Sequence, residues 1–102
     1  MKPFVFSDRA EASFESILEW TFENYGGRQL DKYRDILLER CRAIGQGSAL
    51  NQSCRVMLAD DLREDLRFAR AGNHFVIFVE SADEVQIVDF LHQSADIAGR
   101  LG

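Results

Sequence analysis

The stretch "LRFARAGNHFVIFVESADEVQIVDFLH", residues 66–92, holds three apolar runs divided by two short polar interruptions. "AGN" at 71–73 and "ESADE" at 80–84 gather Gly, Asn, Asp and Ser between segments rich in Val, Ile and Phe. That pattern predicts consecutive hairpins, and so a three-stranded antiparallel meander. The middle run, Phe75 to Val79, is apolar at every position, so its strand should be covered on both faces. The last run ends on His92, with Asp96 four positions later in "QIVDFLHQSADIAGRL", 86–101. The pair could be half of an acid/base or metal site, or a local device that ends a strand. A catalytic pair needs a nucleophile or second acid and a cleft to hold them. The chain has no nucleophile motif, no Gly-rich phosphate loop and no HExxH. Spacing therefore favours the structural reading, in which Ser94 and Asp96 satisfy backbone groups of the turn.

Upstream, "PFVF" reads as a short first strand, and Pro3 fits its first position or an edge because it lacks a ladder N–H. A helix is expected over 8–25, capped by Ser7 or Asp8, with Asp8 and Glu11 forming an acidic capping box. Its apolar stripe is Phe14, Ile17, Leu18, Phe22 and Tyr25. Gly26 and Gly27 end it, and a second helix over 28–45 follows with the seam Leu30, Tyr33, Leu37, Cys41 and Ile44. Gly45 and Gly47 should stop this helix. Residues 46–65 lack a steady period and read as a loop with at most a turn of helix. The fold class is thus α+β: an N-terminal strand, a helical hairpin, then the meander, with both helices packed on a four-stranded, mainly antiparallel sheet. Phe14, Ile17, Leu37, Cys41, Ile77 and Val88 should form the contact. The sequence does not say which strand the first one joins.

A length of 102 residues suits one domain, 1–102. With 46% hydrophobic and 11% aromatic residues, including eight Phe from Phe4 to Phe90, the chain can build a true core. No apolar run is long enough to span a bilayer and the start lacks a signal peptide's pattern, so a cytoplasmic location is expected. Two cysteines make no disulfide framework, and Cys41 lies on the helical seam as a packing residue. Two Cys and two His without CxxC or HxxxH pairing give no expected metal site or cofactor. The net charge of −5, from 12 basic and 17 acidic residues, argues against a general nucleic-acid binder.

Three further features could carry binding. Arg63, Arg67 and Arg70, with His74 across the hairpin turn, could contact an anion or a protein. Against that, Asp60, Asp61, Glu64 and Asp65 would neutralise the arginines in a surface ion network. Glu11, Glu15, Glu19 and Glu23 recur every four residues on the first helix. Bases on the second helix (Arg28, Lys32, Arg34, Arg40, Arg42) would offset them, or the row would dock a basic partner. Trp20 falls off the strict stripe, so it is either core or an interface anchor.

The order strand, helical hairpin, three strands resembles the RelE/ParE superfamily of bacterial toxins from type II toxin–antitoxin pairs, and in particular its ParE branch. "FSDRAEASFESILEWTFENYG" is similar to the branch's opening strand and "A…I…Y" helix. "DLRFARAGNHFVIFV" resembles its "LR…G-x-H-x-I-F-Y" stretch at Leu66, Arg67, Gly72, His74, Ile77 and Phe78. The closing "I-x-I-x-x-I-L-H-x-x-x-D" signature is matched at Val85, Ile87, Leu91, His92 and Asp96. The chain departs from the pattern at Val79, where Tyr is usual, and at Glu80, where a basic residue is common; residues 46–60 have no counterpart. The resemblance implies a toxin that poisons DNA gyrase without being an enzyme and is silenced, as a hetero-oligomer, by a ParD-like antitoxin. Binding residues expected on this basis are Trp20, Arg67, Arg70, His74, His92 and Asp96. The alternatives are a RelE-type ribosome-dependent mRNA endoribonuclease, which the acidic balance and the absence of Tyr after Phe90 disfavour, and a degraded toxin that only binds antitoxin.

Overall fold

The computed structural model describes residues 1–54 and 65–94. Its elements are β1 (Phe4–Phe6), α1 (Asp8–Tyr25), α2 (Gly27–Gln46), β2 (Gln52–Ser53), β3 (Arg67–Ala71), β4 (His74–Glu80) and β5 (Val85–His92). The α+β class, the helical hairpin and the antiparallel β3–β4–β5 meander are as expected. The sheet itself has five strands rather than four, in the order β1-β5-β4-β3-β2. β2, within a segment read as loop, adds an edge by pairing Gln52 with Phe68 and Ser53 with Arg67. At the other edge β1 runs parallel to β5, with Phe4 opposite Val85 and Phe6 opposite Ile87.

Ser7 makes that parallel pairing continuous with α1. Its N–H donates to the Ile87 carbonyl at 2.9 Å and its hydroxyl donates to the Val88 carbonyl at 2.8 Å. The same oxygen accepts from the Ala10 amide at 3.0 Å, so Ser7, and not Asp8, is the N-cap. Gly26, at φ 90°, serves both helices as the turn between them. Gly47 ends α2 in the left-handed region at φ 77°. Gly45 does not stop the helix as expected. It lies inside α2, accepts the Lys2 amide on its carbonyl, and lets the N-terminal segment approach so closely that an added Cβ would sit 2.3 Å from the Lys2 carbonyl oxygen.

The α2 seam packs much as its period suggests, with Leu37, Cys41 and Ile44 buried against Ala69, Val76, Phe78, Ile87 and Phe90. On α1, Ala10 and Thr21 are the buried residues, while Phe14 and Ile17 pack at the margin. Phe22 and Tyr25, assigned to the stripe, are 55% and 67% exposed: the apolar stripe of an 18-residue helix drifts away from a flat sheet, and the last turn overhangs it. Phe6, Phe14 and Phe90 pack together, with centroids 5.3–5.5 Å apart, where β1, α1 and β5 meet.

Ile77 and Val88 are not under the helices. They belong to a second cluster on the opposite sheet face, with Cys54, Leu66, Leu91 and Phe75. Val76, Ile77 and Phe78 are accordingly all buried, so β4 is covered on both faces. β5 bulges here: Ile77 pairs with Asp89 but Phe78 with Ile87, leaving Val88 as the extra residue, so Val88 shares its face with Leu91 and not with Phe90. Ile87 and Phe90 thereby both face the helices, three positions apart.

Leu37→Ala should cost about 2–5 kcal/mol in urea unfolding, because a fully buried seam residue leaves a cavity. Gly45→Ala should cost about 1–3 kcal/mol by driving the N-terminal backbone off α2. Ile36→Ala, on the outer face of the same helix, should change stability by under about 1 kcal/mol.

Candidate functional site

A groove of about 580 Å³ lies between the helical hairpin and the end of the meander. α1 contributes Ser16, Ile17, Trp20, Thr21 and Tyr25, and α2 contributes Gln29 and Tyr33. Asn73, His74 and His92 close it from the sheet. The overhanging last turn of α1 explains its character. Trp20 is 56% exposed and stacks edge-on with Tyr25 at 5.7 Å, leaving two large rings open to solvent at its mouth.

The floor is a hydrogen-bonded cluster. The Tyr33 hydroxyl accepts from the Asn73 amide at 3.0 Å and bonds His74 Nδ1 at 2.5 Å. The bond leaves Nδ1 engaged and Nε2 as the ring nitrogen not held by Tyr33. Burial first, and the neighbouring His92 second, push the His74 pKa down from 6.5 to about 4, so the ring is neutral at pH 7. Burial raises the Tyr33 pKa, against the opposing pull of the Asn73 amide and Arg70. His74 and His92 meet edge-to-face at 5.2 Å, as cross-strand partners of β4 and β5. His92 Nδ1 accepts from the Ser94 amide at 3.1 Å, with the Ser94 hydroxyl at 2.7 Å.

Gly72 makes this floor possible. Its φ of 59°, with no positive φ at Asn73, is the backbone pattern of a turn led by Gly. A Cβ there would stand 2.7 Å from the Tyr33 ring. The sequence spacing places Tyr33 only as a seam residue. The available signal was a phenol at a buried-stripe position, since such a hydroxyl needs a partner.

Of the expected binding residues, the structure brings Trp20, His74 and His92 into one groove. Asp96 lies outside the described residues, as do Arg63, Asp60, Asp61 and Glu64 of the expected ion network. Arg67 and Arg70 do not form one patch with His74. Three positions apart on a strand, they point to opposite faces. Arg67 Nε donates to Asn51 Oδ1 at 2.5 Å, opposite Phe78 and far along β4 from His74. Arg70 donates to the Gly72 carbonyl at 3.1 Å and to Gln93 Oε1 at 2.5 Å.

The acidic row also differs from expectation. Among the described residues, the ion pairs of α2 are internal, Arg34 with Asp31 and Arg42 with Glu39, and no base of α2 bridges to Glu11, Glu15, Glu19 or Glu23. Elsewhere, Asp89 is fully buried and accepts from the Ser13 hydroxyl at 2.6 Å, with Arg9 at 3.7 Å, which ties β5 to α1. Both thiols are buried and inert, their pKa values pushed up by burial to about 12 for Cys41 and about 11 for Cys54. No group of three or more metal-binding side chains occurs among the described residues.

The architecture is that of toxins from bacterial toxin–antitoxin systems. It superposes on a chain of the chromosomal ParDE TA system from P. aeruginosa with a TM-score of 0.67 at 13% identity, covering 90% of this chain and 96% of that one. The YoeB dimer from Staphylococcus aureus follows with a TM-score of 0.60 at 14% identity, covering 89% and 95%. Within that class the sequence is specific: the family described as the ParE toxin of the type II toxin–antitoxin system parDE matches residues 4–97, and the chain belongs to it. It is also 28% identical to Toxin ParE1 of Caulobacter vibrioides over 102 residues, with 100% of each chain covered.

The neutral His74 makes a pH signature. Below about 6.5 the unfolded chain takes up a proton at this ring that the folded chain refuses until about pH 4. Stability should therefore be complete above pH 6.5 and fall as the pH drops toward 4, by roughly 1–3 kcal/mol from this group. His74→Gln should flatten that part of the profile in urea unfolding at stepped pH.

Proposed function

We propose that this ParE-family toxin acts in the cytoplasm by binding and inhibiting DNA gyrase rather than by cutting nucleic acid, and that a ParD-like antitoxin silences it in a hetero-oligomer. The observation that carries the non-hydrolytic reading is the chemistry of the groove. Phosphodiester cleavage calls for a base with a pKa near the working pH and for cations where charge develops. His74 is far from that range, its Nδ1 is taken by Tyr33, and the described residues that line the groove include no Lys or Arg. Exposed Trp20 and Tyr25 beside an apolar cleft suit a protein surface instead. A partner's amphipathic helix could lie along the cleft, its apolar face on the rings.

The antitoxin reading follows from family membership and from the likeness to a chain of a ParDE system. Purified protein should inhibit gyrase supercoiling or trap cleaved DNA, and prior addition of the small protein encoded beside its gene should relieve the inhibition. The same preparation should leave mRNA intact in a translation extract. Site-specific cleavage of ribosome-bound mRNA, with gyrase unaffected, would replace this reading by the endoribonuclease one. Antitoxin binding without either activity would mark a degraded toxin.

A further inference from the structure

The α1 margin of the groove is acidic. Ser16 and Trp20 line the groove from α1, and Glu19 and Glu23 stand three residues beyond each, the spacing at which helical side chains are neighbours. Glu11 and Glu15 continue the row toward the start of the helix, and all four are exposed. Two of the bases that could have offset them are paired within α2 instead, Arg34 with Asp31 and Arg42 with Glu39, and among the described ion pairs none joins α2 to this row. Arg70, on the far side of Tyr33, is held by Gln93 and the Gly72 carbonyl. An i, i+4 row of like charges lowers helix stability. Beside two exposed aromatic rings it has the make-up of a cation-selecting edge: carboxylates steer positive groups, and Trp20 and Tyr25 offer apolar area next to them.

Resting on the toxin reading for the partner's name, we propose that the antitoxin segment entering this groove is a basic amphipathic helix, with Leu-like anchors over Trp20 and Tyr25 and Lys or Arg side chains along Glu19 and Glu23. The whole chain's charge of −5 is consistent with a cationic partner. The Arg67, Arg70 and His74 set is not the steering surface, because its members are separated and already hydrogen-bonded.

The test needs no antitoxin. Trp20 is the only tryptophan, so its emission reports on the groove directly. The full chain is titrated with two synthetic helical peptides of about five turns that share one Leu stripe, one with Lys and one with Glu on the polar face. The Lys peptide should shift Trp20 emission to the blue and bind at least about tenfold more tightly than the Glu peptide. That preference should shrink as salt rises from about 0.05 M to about 0.5 M. Glu19→Gln with Glu23→Gln should abolish most of the preference while leaving the circular dichroism spectrum unchanged and without lowering the unfolding midpoint. Equal binding of both peptides, preference for the Glu peptide, or binding that leaves Trp20 emission unmoved would each overturn the proposal. None of these results bears on gyrase inhibition, so the toxin reading stands or falls separately.

Discussion

One extra residue in β5 governs both the core and the groove. Strict alternation from Ile87 would send Asp89 and Leu91 to the helix side and turn Phe90 and His92 away from it. The bulge at Val88 reverses this: Phe90 joins the Phe6–Phe14 cluster, Leu91 goes to the opposite face, and His92 turns into the groove to meet His74. Asp89 alone keeps the helix side, its carboxylate buried against α1, where the Ser13 hydroxyl donates to it and Arg9 stands at 3.7 Å. A buried charge is costly unless compensated, so Asp89 fixes where α1 sits on the sheet. Ser7 reinforces that choice by binding the β5 backbone across the bulge while capping α1.

The groove depends on a second constraint, the close approach of α2 to the β3–β4 turn. Tyr33 reaches from the helix to the Asn73 amide and His74, and only glycine at position 72 leaves room for its ring. The phenol thereby satisfies a turn amide and holds the ring of the histidine beneath the aromatic mouth. A neutral, internally bonded floor is a poor proton-transfer device but a rigid one. Rigid, largely apolar walls favour recognition, since little order is lost when a partner arrives.

These features agree with the proposal that the toxin works by occupying a protein surface. The thiols are withheld by burial, the groove imidazoles are engaged with neighbours, and the solvent-facing chemistry is aromatic and acidic. Both helices present their polar faces outward, yet only α1 carries a row of carboxylates unmatched by bases from its partner helix. Charge and aromatic area thus converge on one end of the molecule, where the end of α1 overhangs the sheet.

Local pattern determined much of this in advance. The spacing of Leu37, Cys41 and Ile44, the glycine between the helices and the polar turns at 71–73 and 80–84 specify a helical hairpin and a meander, because period and turn chemistry act over a few residues. The motifs around His74 and His92 carried the family. What the sequence left open were the long-range choices: β1 against β5, the two-residue β2, the face of Val88 and Ile77, and the exposure of Phe22 and Tyr25. Each depends on where elements distant in sequence come to rest. Only the packed fold could show that Tyr33, read as a seam residue, is the hydrogen-bonding centre of the groove, because its partners lie 40 and 41 residues away.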